Sequence, residues 1–318
     1  MKLAVIGSGR WGTFIAWYLC RIGHDVTLFG RQSSKSFESL VKTRRNSLLE
    51  LPDGLAMTDN ISRLCDFDTV IISVGSQSLR GLMEQIRALG DVRRDYILCM
   101  KGIECGTGLR LSEVVSEYVS HSSGIAVWVG PGHVQEFASG IPNCMVIDSE
   151  NTELKRWLVD SFSSDLIRFY YGTDLIGSEI GAAAKNVIGI AAGMLDGLRL
   201  STLKGALMSR GTREIARLIA AMGGNELSAY GLCHLGDYEA TVFSEFSHNR
   251  MFGEMLVRGE TYDSLAEGYY TVDALMLLRE KYSVELPICE SVWRCLYRGE
   301  DPRDSLTTLF TRSIKHEI

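Results

Sequence analysis

A chain of 318 residues, 46% apolar and 23% charged, has enough apolar material for two folded cores, which excludes extensive disorder. A formal net charge of −6 argues against a nucleic-acid binder, whose surface is ordinarily basic, but allows phosphorylated small molecules held by a few local cations. The eight cysteines contain no Cys-x-x-Cys pair, so no zinc site or other metal centre is expected, and their scatter through apolar stretches suits a reducing cytoplasm.

The opening run Leu3–Ile6 is too short for a signal peptide, and no uncharged apolar stretch is long enough to span a bilayer. Strands are predicted at Leu3–Ile6, Val26–Phe29, Thr69–Val74, Tyr96–Met100, Ile125–Val129 and Cys144–Ile147. These runs are continuously apolar rather than alternating, as in parallel strands buried on both faces by helices. After the first strand, Trp11, Phe14, Ile15, Tyr18, Leu19 and Ile22 recur on one helical stripe, which Gly23 ends.

The intervening loop reads Gly7-Ser8-Gly9-Arg10-Trp11-Gly12. Gly7 permits a tight turn, Gly9 admits a pyrophosphate against the backbone, and Gly12 lets the helix pack on the strand. The helix N-terminus then offers free N–H groups to phosphate. This strand–loop–helix predicts a nicotinamide dinucleotide site. The second strand ends Phe29-Gly30-Arg31, with arginine where an NAD-selective site usually places an acid, so the cofactor is NADP(H) or NAD(H) with a lean to NADP(H).

Two lysines carry the expected chemistry. Lys101 follows the fourth predicted strand, at the sheet edge where ligands bind in open α/β folds. Lys185 lies in Ala183-Ala184-Lys185-Asn186-Val187, inside a small, apolar helix. Burying an ammonium is costly, and the same desolvation tunes a lysine for proton transfer. From about Gly181 onward the pattern is helical: Ala182–Leu195, a face of Leu203, Leu207, Ile215, Leu218, Ile219 and Met222, then Asp273–Tyr282 and Ile288–Tyr297 opened by Pro287. The predicted fold is α/β: a Rossmann-like parallel-sheet domain over 1–176, then an all-helical substrate and catalytic domain over 177–318.

The chain resembles the NAD(P)-dependent glycerol-3-phosphate dehydrogenases almost end to end. The resemblance is carried by Gly7–Gly12, Ser76-Gln77-Ser78-Leu79-Arg80, Lys101-Gly102-Ile103-Glu104, Gly130-Pro131, Gly172-Thr173-Asp174, Lys185-Asn186-Val187, Asp196-Gly197-Leu198, Ala206–Gly211, Gly236-Asp237, Asn249-Arg250, Phe252-Gly253 and Glu267-Gly268. It implies interconversion of sn-glycerol 3-phosphate and dihydroxyacetone phosphate by hydride transfer, feeding glycerophospholipid synthesis, in a cytoplasmic homodimer that spans no membrane. The implied catalytic residues are Lys185 as proton acceptor, Lys101 and Asp237. The implied cofactor residues are Gly7, Ser8, Gly9, Arg10, Trp11, Gly12, Arg31, Lys101 and Glu267. Substrate would be held by Lys101, Gly130, Gly132, Lys185, Asp237, Ser247, His248 and Asn249.

Three positions depart from the family pattern: His248 stands at its phosphate-binding arginine, Gly132 at a Ser or Thr, and Thr202 at an Asn. A histidine is a single-point donor where a guanidinium binds phosphate bidentately. Two alternatives follow: a related dehydrogenase of a specialised pathway acting on another hydroxy or keto substrate, or a non-catalytic nucleotide-binding paralogue.

Overall fold

A computed structural model describes residues 2–90 and 92–311. The chain divides into two compact units, Met1–Lys101 with Leu109–Glu179, and Gly102–Gly108 with Ile180–Ile318.

The first unit is built on β1 (Lys2–Ile6), β2 (Asp25–Phe29), β3 (Ala56–Thr58), β4 (Thr69–Ile72), β5 (Asp95–Leu98), β6 (Ile125–Val129), β7 (Asn143–Ser149) and β8 (Ile167–Tyr171). They form one sheet in the order β3-β2-β1-β4-β5-β6-β7-β8. Its helices are α1 (Arg10–Arg21), α2 (Lys35–Thr43), α3 (Leu79–Ala88), α4 (Leu111–Ser116), α5 (Val134–Ala138) and α6 (Thr152–Phe162). The chain winds outward from β1 to β3, then returns to place β4 on the other side of β1, which makes the β1/β4 boundary the switch point of a Rossmann-like sheet. Strands β1, β4, β5 and β6 are almost wholly buried, as their continuous apolar runs predict.

Three details differ from the sequence expectation. Strand β7 runs antiparallel to β6, so the sheet is parallel-dominated rather than wholly parallel. Strands β3 and β8 were not predicted; both are edge strands, β3 only three residues long. In β8, Ile167 and Phe169 are buried while Arg168, Tyr170 and Tyr171 are exposed, so it lacks the apolar continuity of the inner strands. Finally, β4 and β5 end at Ile72 and Leu98, before Val74 and Met100, because the chain there leaves the sheet for loops at its carboxyl edge.

Helix α7 (Leu175–Gly197) begins in the first unit and continues through the second, which adds α8 (Lys204–Ala221), α9 (His248–Arg258), α10 (Glu267–Tyr282), α11 (Pro287–Arg298) and α12 (Pro302–Phe310). No strand occurs among its described residues. Helix α7 is long and apolar enough to cross a bilayer, but it carries Glu179, Lys185 and Asp196, and 89% of its apolar window is buried in the protein. Its glycines explain the burial: a Cβ on Gly193 would lie 1.9 Å from the Arg250 carbonyl oxygen, and one on Gly253 2.1 Å from that of Ile190. The backbones of α7 and α9 therefore touch, a contact only glycine allows. Helix α11 is anchored by a buried carboxylate, since Glu214 accepts the N–H groups of Ile288 and Cys289, each at 2.9 Å.

Candidate functional sites in the two units

In the first unit, the carboxyl ends of β1 and β4 converge on the glycine loop. Gly7 has φ +115°, and a Cβ there would lie 2.0 Å from the Ser73 carbonyl oxygen; one on Gly12 would lie 1.9 Å from that of Gly7. The loop is thus pressed between β4 and α1 at the switch point. Gly9 is the N-cap of α1, no side chain caps the helix, and open space lies where its Cβ would be. Uncapped N–H groups facing an open glycine surface fit a pyrophosphate. Ser8 is half-buried and Arg10 exposed beside it, and Arg31 is exposed beyond the end of β2.

Trp11 stacks on Phe14 with ring centroids 5.1 Å apart, and Phe14 stacks on Phe137 at 5.0 Å. Phe137 also accounts for Gly132. That glycine has φ +139°, and a Cβ would sit 2.4 Å from the Phe137 ring, so a serine or threonine there would be strained and would push on the ring. Lys101, just past β5, donates to the Gly130 carbonyl at 2.6 Å, which holds its ammonium at the ends of β5 and β6.

In the second unit, Lys185 and Asp237 meet. Lys185 Nζ lies 2.9 Å from Asp237 Oδ2, in side chains 9% and 1% exposed. Lys185 also donates to Thr241 Oγ1 at 2.7 Å, and Thr241 in turn donates to the Asp237 carbonyl at 2.7 Å. Thr241 was missed because its contact with Lys185 spans 56 residues of chain and no local pattern marks it. Two further residues, His234 and Tyr238, were missed for the same reason. The His234 imidazole bonds the Gly181 carbonyl through Nδ1 at 2.8 Å and the Tyr238 hydroxyl through Nε2 at 2.7 Å. Burial, with the Lys185 charge adding to it, pushes His234 down to about 4, so it is neutral at physiological pH.

The predicted phosphate-end residues open α9. Ser247 is its N-cap, accepting from the Arg250 N–H at 3.3 Å. Asn249 donates to Asn186 Oδ1 at 3.0 Å and accepts the Gly268 N–H at 2.9 Å, tying α9 to α7 and α10. It thus bonds the residue that follows Lys185 in sequence. His248 Nδ1 hydrogen-bonds the Tyr262 hydroxyl, so the imidazole can offer phosphate at most Nε2. Arg250 does not stand in for the missing arginine through Nε or Nη1, which go to Ser244 O and to Asp196 and Glu254. Lys204 shares Asp196 at 2.7 Å. Against the upward push of burial, bonds from Lys204, Ser201 and Arg250 hold the Asp196 carboxyl below the usual range. Thr202 is exposed, and Glu267 opens α10.

The switch-point cradle makes the first unit a dinucleotide-binding domain of the Rossmann class. Comparison with known proteins then places the whole chain. Residues 2–155 match the model of the NAD-dependent glycerol-3-phosphate dehydrogenase N-terminus, and residues 174–307 that of its C-terminus. A glycerol-3-phosphate dehydrogenase [NAD(P)+] of Thermoanaerobacter sp. (strain X514) is 33% identical over 100% of this chain and 99% of its own length. One from Desulfitobacterium hafniense (strain Y51) is 35% identical over 100% of this chain and 93% of its own. A crystal structure of glycerol-3-phosphate dehydrogenase from Coxiella burnetii matches with a TM-score of 0.91 and 28% identity, covering 98% of this chain and 99% of that one. The chain belongs to the NAD-dependent glycerol-3-phosphate dehydrogenase family.

Proposed function

We propose that this protein interconverts sn-glycerol 3-phosphate and dihydroxyacetone phosphate with NADPH or NADH, and that Lys185 is the proton-transfer group. The observation that carries the reading is the buried Lys185–Asp237 ion pair, which joins α7 to the short turn Leu235–Asp237 in the interior of the second unit. The bound nicotinamide supplies or takes the hydride at C2. In the reduction direction the Lys185 ammonium, oriented by Asp237 and Thr241, delivers a proton to the carbonyl oxygen of the substrate; in oxidation Lys185 receives it back. Lys101 adds positive charge near the reacting oxygen. Gly7 to Gly12 cradle the pyrophosphate, and Arg31 supports a lean to NADPH. Ser247, His248 and Asn249 take the phosphate end. The eight free cysteines support a reducing, cytoplasmic setting, and a homodimer is the expected assembly.

One observation favours a second reading, an altered substrate tail. With Nδ1 of His248 engaged by Tyr262 and Arg250 tied to Asp196, the fork that would grip a phosphate is missing from these two residues. Steady-state reduction of dihydroxyacetone phosphate, against a panel of 2-keto compounds with other tails, separates the two. The first reading expects the highest kcat/KM for dihydroxyacetone phosphate. A better substrate lacking the phosphate would establish the second.

A further inference from the structure

His234 is wholly buried in a helical unit, an unusual place for an imidazole unless both ring nitrogens are used. Both are. Gly181 O is an acceptor only, so Nδ1 carries the hydrogen, and Nε2 must accept from the Tyr238 hydroxyl. The two partners belong to different elements. Gly181 lies on α7 four residues before Lys185, and in an α-helix its carbonyl also receives the Lys185 N–H. His234 and Tyr238 flank Asp237, on the segment that continues to Thr241. The imidazole thus fastens the segment that carries Asp237 and Thr241 to the helical turn that carries Lys185. The fit is close, since a Cβ on Gly181 would come 3.1 Å from that of His234.

We propose that His234 and Tyr238 are positioning residues for the Lys185–Asp237 pair, a neutral imidazole clamp that fixes the carboxylate and the Thr241 hydroxyl against the ammonium and thereby sets the proton affinity of Lys185. The proposal deepens the reading of Lys185 as the proton-transfer group and rests on it for its catalytic consequence. Lys185 and Asp237 are the charged groups acting on His234, while Tyr238 faces Thr212, Glu214 and Cys289. Glu214 is held by the amides of α11 and Cys289 is buried beside it, so the clamp couples to the lysine through geometry rather than through a proton relay.

The test compares wild type with Tyr238→Phe, which keeps the ring and removes the donor, and with His234→Asn, which keeps a donor for Gly181 O. Competitive acylation of the folded protein across pH, read by peptide mass spectrometry, gives the apparent pKa of Lys185, with exposed Lys42 as the internal control. Both variants should move the Lys185 value by about half a unit or more and leave Lys42 in place. With dihydroxyacetone phosphate, kcat should fall roughly tenfold and its pH profile should shift, while KM for NADPH stays within about twofold. A purely structural role would lower Tm and leave the labelling curve and pH profile superposed on wild type; that result overturns the proposal. If wild type does not reduce dihydroxyacetone phosphate, the functional reading fails, and the labelling curve still decides the clamp.

Discussion

Gly132 and Phe137 illustrate how a local departure is absorbed. The ring occupies the volume a side chain at 132 would need, and φ +139° disfavours any L residue there. Gly132→Ser should therefore destabilise the first unit by about 1–3 kcal/mol in urea unfolding, and its cost should shrink when it is measured in a Phe137→Ala background, so that the double variant loses less than the sum of the two singles. His234 gives a second prediction. Its folded value of about 4 lies below the ordinary 6.5, so between those pH values the unfolded chain binds a proton that the folded one does not. Stability then falls as pH drops from about 6.5 toward 4, by an amount on the order of 3 kcal/mol. His234→Gln should flatten that part of the pH–stability curve; an unchanged slope would remove histidine titration as its cause. Lys101 and Lys185 were legible in sequence because a lysine after a strand or inside an apolar helix is conspicuous by itself. Thr241, His234 and Tyr238 were not, because their meaning lies in contacts that close only on folding.

At the scale of elements, apolar continuity revealed the inner strands, and the three-residue edge strand β3 and the half-exposed β8 carried too little of that signal. The antiparallel step from β6 to β7 was likewise invisible, since a buried run reads the same in either direction. In the second unit α7, α8, α10 and α11 were legible in existence but short in extent, and α9 and α12 were not predicted. Helix α10 begins at Glu267, well before the predicted Asp273; its first turn packs Gly268 against Asn186, a close contact that hydrophobic periodicity does not mark. Helix α11 depends on a partner outside itself. Glu214→Ala would leave the Ile288 and Cys289 amides without their acceptor, and the cost should be about 2 kcal/mol or more. Thermal unfolding compared with Glu214→Gln, which keeps an acceptor oxygen, checks that figure. A loss no larger than for an exposed glutamate such as Glu38 would contradict it.

At the scale of the molecule, the first unit carries the glycine-loop cradle and the second a buried lysine–carboxylate pair, to which the proposed function assigns the cofactor and the proton transfer respectively. Among the residues that carry the resemblance, Gly7, Gly12 and Gly253 sit where backbone approaches too closely for a Cβ, and Lys185 and Asp237 form the ionic pair. What it left open is the phosphate end, where His248 turns toward Tyr262 and Arg250 toward Asp196. The most direct measurement is Lys185→Ala assayed beside wild type for NADPH-dependent reduction of dihydroxyacetone phosphate, with NADPH binding followed by fluorescence titration. The account predicts a kcat loss of roughly 10²–10⁴-fold with cofactor affinity retained. Turnover surviving the substitution in a folded, cofactor-binding protein would contradict it.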